Sequence, residues 1–109
     1  MCFTYESIIM IGPRGERLPD SILFCCNYNS VRSPMLLGIA RLVFKNFIFL
    51  DACGVHHGSL DPLMLEVMSE IGALVNDYKP KTFDDIDPEM FDLVITLTPE
   101  AHHKALDLT

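Results

Sequence analysis

Residues 22–44 pass from a short apolar run, Ile22-Leu23-Phe24-Cys25, through the stretch Cys26-Asn27-Tyr28-Asn29-Ser30-Val31-Arg32-Ser33-Pro34, into a longer apolar run over residues 35–44. The first run has the length and content of a buried strand, and the second reads as a helix. Pro34 stands where a proline of the first helical turn is tolerated. A strand that turns through a short loop straight into a helix leaves few choices of fold. The helix must cross back over the sheet that holds the strand, and such crossovers have one hand. The loop is then left at the carboxyl end of the strand. Its backbone N–H groups and the helix N-terminus gather around one point, and such a point attracts anions.

The alternation continues down the chain. Residues 47–52 read as a second strand, ended by Gly54, and residues 93–97 as a third, buried one. Residues 62–71 read as a helix, with Asp61 placed to cap it, Pro62 in its first turn and Gly72 beyond its end. Residues 99–108 begin a further helix. Residues 56–61 are expected to be loop, residues 78–83 loop or a short irregular strand, and residues 84–90 polar with one helical turn. Helix 33–45 is apolar nearly all round, as expected for a helix buried against a sheet. The pattern predicts a three-layer α/β domain on a parallel sheet of flavodoxin-like type. The first strand is central, and its loop lies where the strand order reverses.

The loop carries three side chains with chemistry. A cysteine held among N–H donors is pushed toward thiolate, the nucleophilic form, which makes Cys26 the candidate nucleophile. Arg32 offers a planar fork that grips two oxygens of a phosphate-like group. Ser33 follows it and can donate a hydroxyl to the sulfur. Each has a plainer reading: a buried cysteine as inert packing, an arginine as a surface ion pair, a serine as a helix cap. Cys25, the neighbouring residue on the strand, points to the opposite face and is expected to pack in the core.

Composition narrows the classes. A chain of 109 residues has room for one domain, and with half of them apolar it can build a core. Fifteen acidic residues against eight basic give a net charge of −7. That balance argues against nucleic-acid binding, which depends on neutralising phosphates. It also opposes long-range attraction of a phosphorylated substrate, so any anion site must work by local geometry. No apolar run reaches the ~18 residues of a membrane helix, so no membrane partner is expected. The first twelve residues lack the basic segment of a signal peptide. Cys2, Cys25, Cys26 and Cys53 form neither a disulfide framework nor a zinc pattern, which makes a reducing cytoplasm the simplest compartment.

On its motifs the chain resembles the low-molecular-weight protein tyrosine phosphatases, which share a fold with thioredoxin-coupled arsenate reductases. Cys26, Asn29, Arg32, Ser33 and Pro34 match that family's loop, Cys-x-Gly-Asn-x-Cys-Arg-Ser-Pro. The likeness continues through Asp51-Ala52-Cys53-Gly54, Leu60-Asp61-Pro62, Lys79-Pro80-Lys81-Thr82, residues 91–98 and residues 99–106. It covers residues 21–109, and residues 1–20 are read as an extension. Within that extension residues 3–11 are expected to hold a short strand and residues 12–17 a loop.

The resemblance implies a sheet of order 2-1-3 in the numbering of the core strands. The family's fourth strand is missing, as is the Asp-Pro loop beyond it that carries the general acid. An exposed sheet edge that a second copy could pair with would follow. The resemblance further implies that Cys26 attacks phosphorus to give a thiophosphate intermediate and that Arg32 holds the equatorial oxygens. Asn27, Tyr28, Asn29, Ser30 and Val31 complete the phosphate-binding loop, with Asn29 bracing it in a strained conformation. Two positions depart from the family. Tyr28 stands where glycine is usual, costly if that position needs positive φ and otherwise an aromatic wall. Val31 replaces a cysteine that could protect an oxidised nucleophile.

The expected substrate is a phosphorylated protein or a small phosphate ester, with neither cofactor nor metal. His56-His57 and His102-His103 are adjacent pairs whose side chains diverge, which does not suit shared ligation. Asp61-Pro62 and Asp87-Pro88 mimic the family's acid motif locally but fall at other places in the fold, and Asp92 reads as structural. An arsenate reductase is the alternative enzyme. It needs relay cysteines, and residues 76–88 contain none. A non-catalytic module that binds an anion or a partner is the third reading.

Overall fold

The computed structural model describes residues 2–4 and 19–109. Four strands and three helices run in the order β1 (Cys2–Thr4), β2 (Ser21–Cys26), α1 (Arg32–Phe44), β3 (Phe49–Gly54), α2 (Pro62–Glu70), β4 (Leu93–Thr96) and α3 (Pro99–Leu108). A 3-10 turn, Pro88–Met90, supplies the helical turn expected before β4. The sheet is parallel, in the order β1-β4-β2-β3. Its three core strands thus have the expected 2-1-3 order, with the first of them in the middle. The outer side of β4 is taken by β1, which pairs with it from Cys2 opposite Val94 to Thr4 opposite Thr96. The fourth place in the sheet is therefore filled from the N-terminal extension, and the edge expected to be open beside β4 is paired. The strand expected over residues 3–11 begins one residue earlier, and its continuation and the loop expected over residues 12–17 lie outside the described residues.

Strand alternation divides the core in two. Ile22, Phe24, Ala52 and Ile95 face α1 and α2, where they meet Leu37, Met64 and Met68. Leu23, Cys25, Cys53 and Val94 face the other way, onto Ala101 and Ala105 of α3. This period of two is what a strand covered on both faces requires. The second strand begins and ends two residues later than its apolar run suggested, because the pairing with β2 runs from Phe49 opposite Ser21 to Gly54 opposite Cys26, with Phe47 left exposed before it. Helix α1 buries Pro34, Leu37, Gly38 and Ala40, while Ile39, Leu42 and Val43 on its outer side are exposed. It is therefore a one-face helix, not one buried all round.

Capping fixes where the helices start. Asp61 Oδ1 accepts from the N–H groups of Leu63 and Met64 at 2.8 and 3.1 Å, and Asp87 Oδ1 accepts from Glu89 at 3.0 Å. Both Asp-Pro pairs thus serve as caps with proline in the first turn. Asp92 is structural in the same sense: its carboxylate accepts from the Asp20 N–H, joining the entries of β2 and β4. Among the described residues no helix is long and apolar enough to cross a membrane.

Candidate active site

Strand β2 ends at Cys26 and helix α1 begins at Arg32, so the five residues between them must reverse direction over a very short span. The turn is made by Asn29, whose φ of 54° lies in the left-handed region. Asparagine tolerates that region better than most residues. Tyr28 is not at positive φ, so the cost anticipated for a tyrosine there does not arise.

The loop's carbonyls are engaged from outside. Those of Cys26, Asn27 and Ser30 accept from the amides of Val55, His56 and Asp61 at 3.1, 2.7 and 3.1 Å. With those oxygens drawn outward, N–H donors are what the loop can offer an anion at its centre. The fit against β3 is close. A Cβ on Gly54 would lie 2.7 Å from the Asn29 nitrogen and 2.9 Å from the Tyr28 carbonyl carbon. Only glycine lets the end of that strand lie under the loop.

Cys26 is buried and is in no disulfide. Its Sγ receives the Asn29 N–H at 3.2 Å and lies 2.9 Å from Ser33 Oγ. Ser33 is the second residue of α1, and the helix has no side-chain cap, so the serine serves the sulfur and not the helix end. Cys26, Asn27, Tyr28, Ser30, Val31 and Arg32 line a pocket of about 260 Å³, closed on the remaining side by Thr98. The residues expected at the site from the sequence lie in this loop and the first turn of α1. Asn29 and Ser33 lie behind it, fully buried, and the others face the pocket.

Five contributors from outside the loop were not anticipated. Tyr78, in the loop after α2, brings its hydroxyl within 2.6 Å of both Asn29 Oδ1 and the Ala52 carbonyl. Burial pushes its phenol up from the ordinary range, and Asp51's charge pushes it further. The Lys81 backbone N–H donates to the same Oδ1 at 2.8 Å, while its ammonium pairs with Asp51 at 2.6 Å. Thr98, the cap of α3, donates to Asn27 Oδ1 at 2.6 Å and so ties the loop to the third helix. At the rim the Tyr28 ring lies 5.3 Å from that of His56, and His56 Nε2 lies 2.8 Å from a Glu100 oxygen. The segment Lys79-Pro80-Lys81-Thr82 was the only advance sign of the Tyr78 and Lys81 contacts. His102 turns to Thr96 instead, with Nδ1 and Oγ1 3.1 Å apart.

A cysteine among donors, a guanidinium on the same loop and a helix start behind them make this loop the candidate site for an oxyanion beside a nucleophile. The family model for the low molecular weight phosphotyrosine protein phosphatases matches residues 21–109. The chain belongs to that family. Members of the family are cysteine-based phosphatases or arsenate reductases, and the relatives include both. A glutaredoxin arsenate reductase of Synechocystis sp. is 26% identical over 76 residues, which are 70% of this chain and 58% of that protein. An arsenate reductase solved in its phosphate-binding state superposes with a TM-score of 0.68 at 26% identity, over 72% of this chain and 60% of the other. The tyrosine phosphatase AmsI of Erwinia amylovora superposes with a TM-score of 0.73 at 19% identity, over 87% and 64%. The chain thus spans less than two thirds of the length of each of these relatives.

Proposed function

We propose that this member of the low-molecular-weight phosphatase family hydrolyses phosphomonoesters, phosphotyrosine in proteins foremost, with Cys26 as nucleophile. The observation that carries this reading is the pair of contacts on Cys26 Sγ, from the Asn29 N–H and Ser33 Oγ, at a pocket shared with Arg32. The sulfur attacks phosphorus, an S–P bond forms, and the ester P–O bond breaks. The departing oxygen takes a proton from solvent. Arg32 and the loop N–H groups hold the equatorial oxygens, where negative charge must be matched throughout. Water then attacks phosphorus, inorganic phosphate leaves, and the sulfur returns to its starting state. Ser33, hydrogen-bonded to the sulfur, eases its departure in the second step.

Arsenate reduction is the second reading. It is supported by the arsenate reductases at 26% identity in both sequence and structure. The thiols that could relay electrons are placed poorly for it. Cys25 and Cys53 face each other at 3.7 Å inside the core on the far side of the sheet.

One experiment separates the readings. p-Nitrophenyl phosphate has a leaving group that departs without a proton, so it tests the nucleophile alone. The parent should release nitrophenol and Cys26→Ser should release none. Arsenate reduction with a thiol reductant, in a protein that leaves the ester untouched, favours the second reading. Neither activity in a folded protein favours an anion-binding module.

A further inference from the structure

The polar side chains behind the loop form a chain of hydrogen bonds, and the directions of those made by Asn29 can be fixed. A backbone N–H can only donate, and that of Lys81 points at one end of the Asn29 amide. That end must be the oxygen, Oδ1. The other end, Nδ2, then faces Ser33 Oγ at 2.7 Å and must donate to it. A serine oxygen that accepts there still has its own proton to give, and Cys26 Sγ lies 2.9 Å away; toward a deprotonated sulfur the serine must be the donor. The sulfur thus receives two donors, the Ser33 hydroxyl and the Asn29 N–H at 3.2 Å. Both can hydrogen-bond negative charge on the sulfur when it reacts.

Tyr78 stands at the head of this chain. Its hydroxyl has one proton and two acceptors within 2.6 Å, Asn29 Oδ1 and the Ala52 carbonyl. Neither acceptor can supply a proton, so the phenol must be the donor. Without it the Asn29 oxygen would be held by the Lys81 N–H alone, and the aim of its Nδ2 at Ser33 would be less tightly set. Tyr78 sits forty-nine residues away in sequence, buried in the core beneath the loop. It therefore transmits the rigidity of the sheet to the loop's left-handed residue.

We propose that Tyr78 is a positioning residue for the Cys26 nucleophile, acting through Asn29 and Ser33 to aim the serine proton at the sulfur. The proposal rests on the phosphatase reading in taking Cys26 as the reacting group, but its test reads the thiol itself and not turnover. The probe is iodoacetamide at neutral pH, with alkylation followed at each cysteine by mass spectrometry. The second readout is the part of the ultraviolet thiolate absorbance that Cys26→Ser removes.

In Tyr78→Phe, Cys26 should be alkylated roughly tenfold more slowly, the loss of about one buried hydrogen bond. The thiolate absorbance should fall with it, while Cys25 and Cys53 stay protected. In a Ser33→Ala background the same change should alter the rate by less than about twofold, because residues acting in one network do not add. A merely structural tyrosine gives a different pattern. Effects of the two substitutions that add in full, or a parental Cys26 rate in Tyr78→Phe, overturn the proposal. If Tyr78→Phe does not fold, fluorotyrosine placed at position 78 keeps the shape and donates more strongly. Faster alkylation of Cys26 is then expected, and an unchanged rate overturns the proposal. A parent whose Cys26 reacts no faster than Cys25 or Cys53 fails at the earlier step and removes the phosphatase reading together with the proposal.

Discussion

The inner and outer sides of the loop over residues 26–32 are built from different materials. On the inner side Asn29 and Ser33 are fully buried, and their side chains are partnered by Cys26, Tyr78 and the Lys81 backbone. On the outer side Tyr28 is 55% exposed, and the His56–Glu100 pair it leans on is about half exposed at both ends. Buried polar networks are costly to disturb because a broken contact leaves a desolvated group with no replacement. Exposed pairs are worth little because water replaces them. The inner side therefore fixes the reacting atoms. The outer side can change with little cost to the fold and is where selection among esters is best placed.

Gly54→Ala strikes the inner side hardest. Its new methyl would meet loop backbone at 2.7 and 2.9 Å, and backbone cannot swing aside as a side chain can. We expect a stability loss of about 1–3 kcal/mol by denaturant titration and loss of inorganic phosphate binding by calorimetry. Parental phosphate affinity in this variant would show that the loop is not held from beneath.

Arg32→Lys comes next. It retains the charge and removes the two-pronged donor geometry. Phosphate should bind roughly tenfold more weakly, with a loss of turnover at least as large, as expected for a charge-assisted hydrogen bond. Equal affinity in the two proteins would assign the loop N–H groups the whole task.

Alkaline pH probes the inner side without touching the pocket. The Tyr78 phenol is raised in the folded protein above its ordinary value of 10.0, first by burial. Above that pH the unfolded chain loses this proton while the folded one retains it, so unfolding is progressively favoured. Below it the two states bind the proton alike and the contribution is constant. Urea titrations should show the parent losing stability above pH 10 more steeply than Tyr78→Phe. Parallel curves would mean that the phenol is not held in its protonated form.

The outer side should give the smallest effects. Glu100→Gln removes the exposed partner of His56 and should cost no more than about 1 kcal/mol in a denaturant titration. Tyr28→Ala should leave phosphate affinity near parental and change KM for aryl against alkyl phosphates. A large fall in phosphate affinity in either would place the rim inside the anion site.

The difference between the two sides also explains what could be read in advance. The loop, its cysteine, arginine and serine, and the strand and helix that carry them are contiguous, so local pattern was enough to mark them. Asp61 and Gly72 announced α2 by the same local logic, since a cap and a left-handed stop belong to neighbouring residues. Tyr78 could not be found this way. It reaches Asn29 across forty-nine positions, and nothing local separates it from an ordinary core tyrosine. The strained residue implied by the family resemblance, Asn29, is the one in the loop at positive φ, and the conditional cost at Tyr28 does not arise. The exposed outer face of α1 was hidden by composition, since apolar residues on both sides of a helix look the same in sequence whether or not both are covered. Pairing of β1 with β4 joins segments about ninety residues apart, and a three-residue strand carries too little pattern to indicate its partner.

Reactivity of the four cysteines tests the assignment of Cys26 most directly. The folded protein is treated with iodoacetamide at mildly acidic pH, with and without inorganic phosphate, and each cysteine is quantified by mass spectrometry. Cys26 should be modified before Cys2, Cys25 and Cys53, and phosphate should protect it while leaving the other three unaffected. Modification of Cys26 no faster than that of its neighbours, or at a rate indifferent to phosphate, would contradict a nucleophile seated in an anion-binding loop.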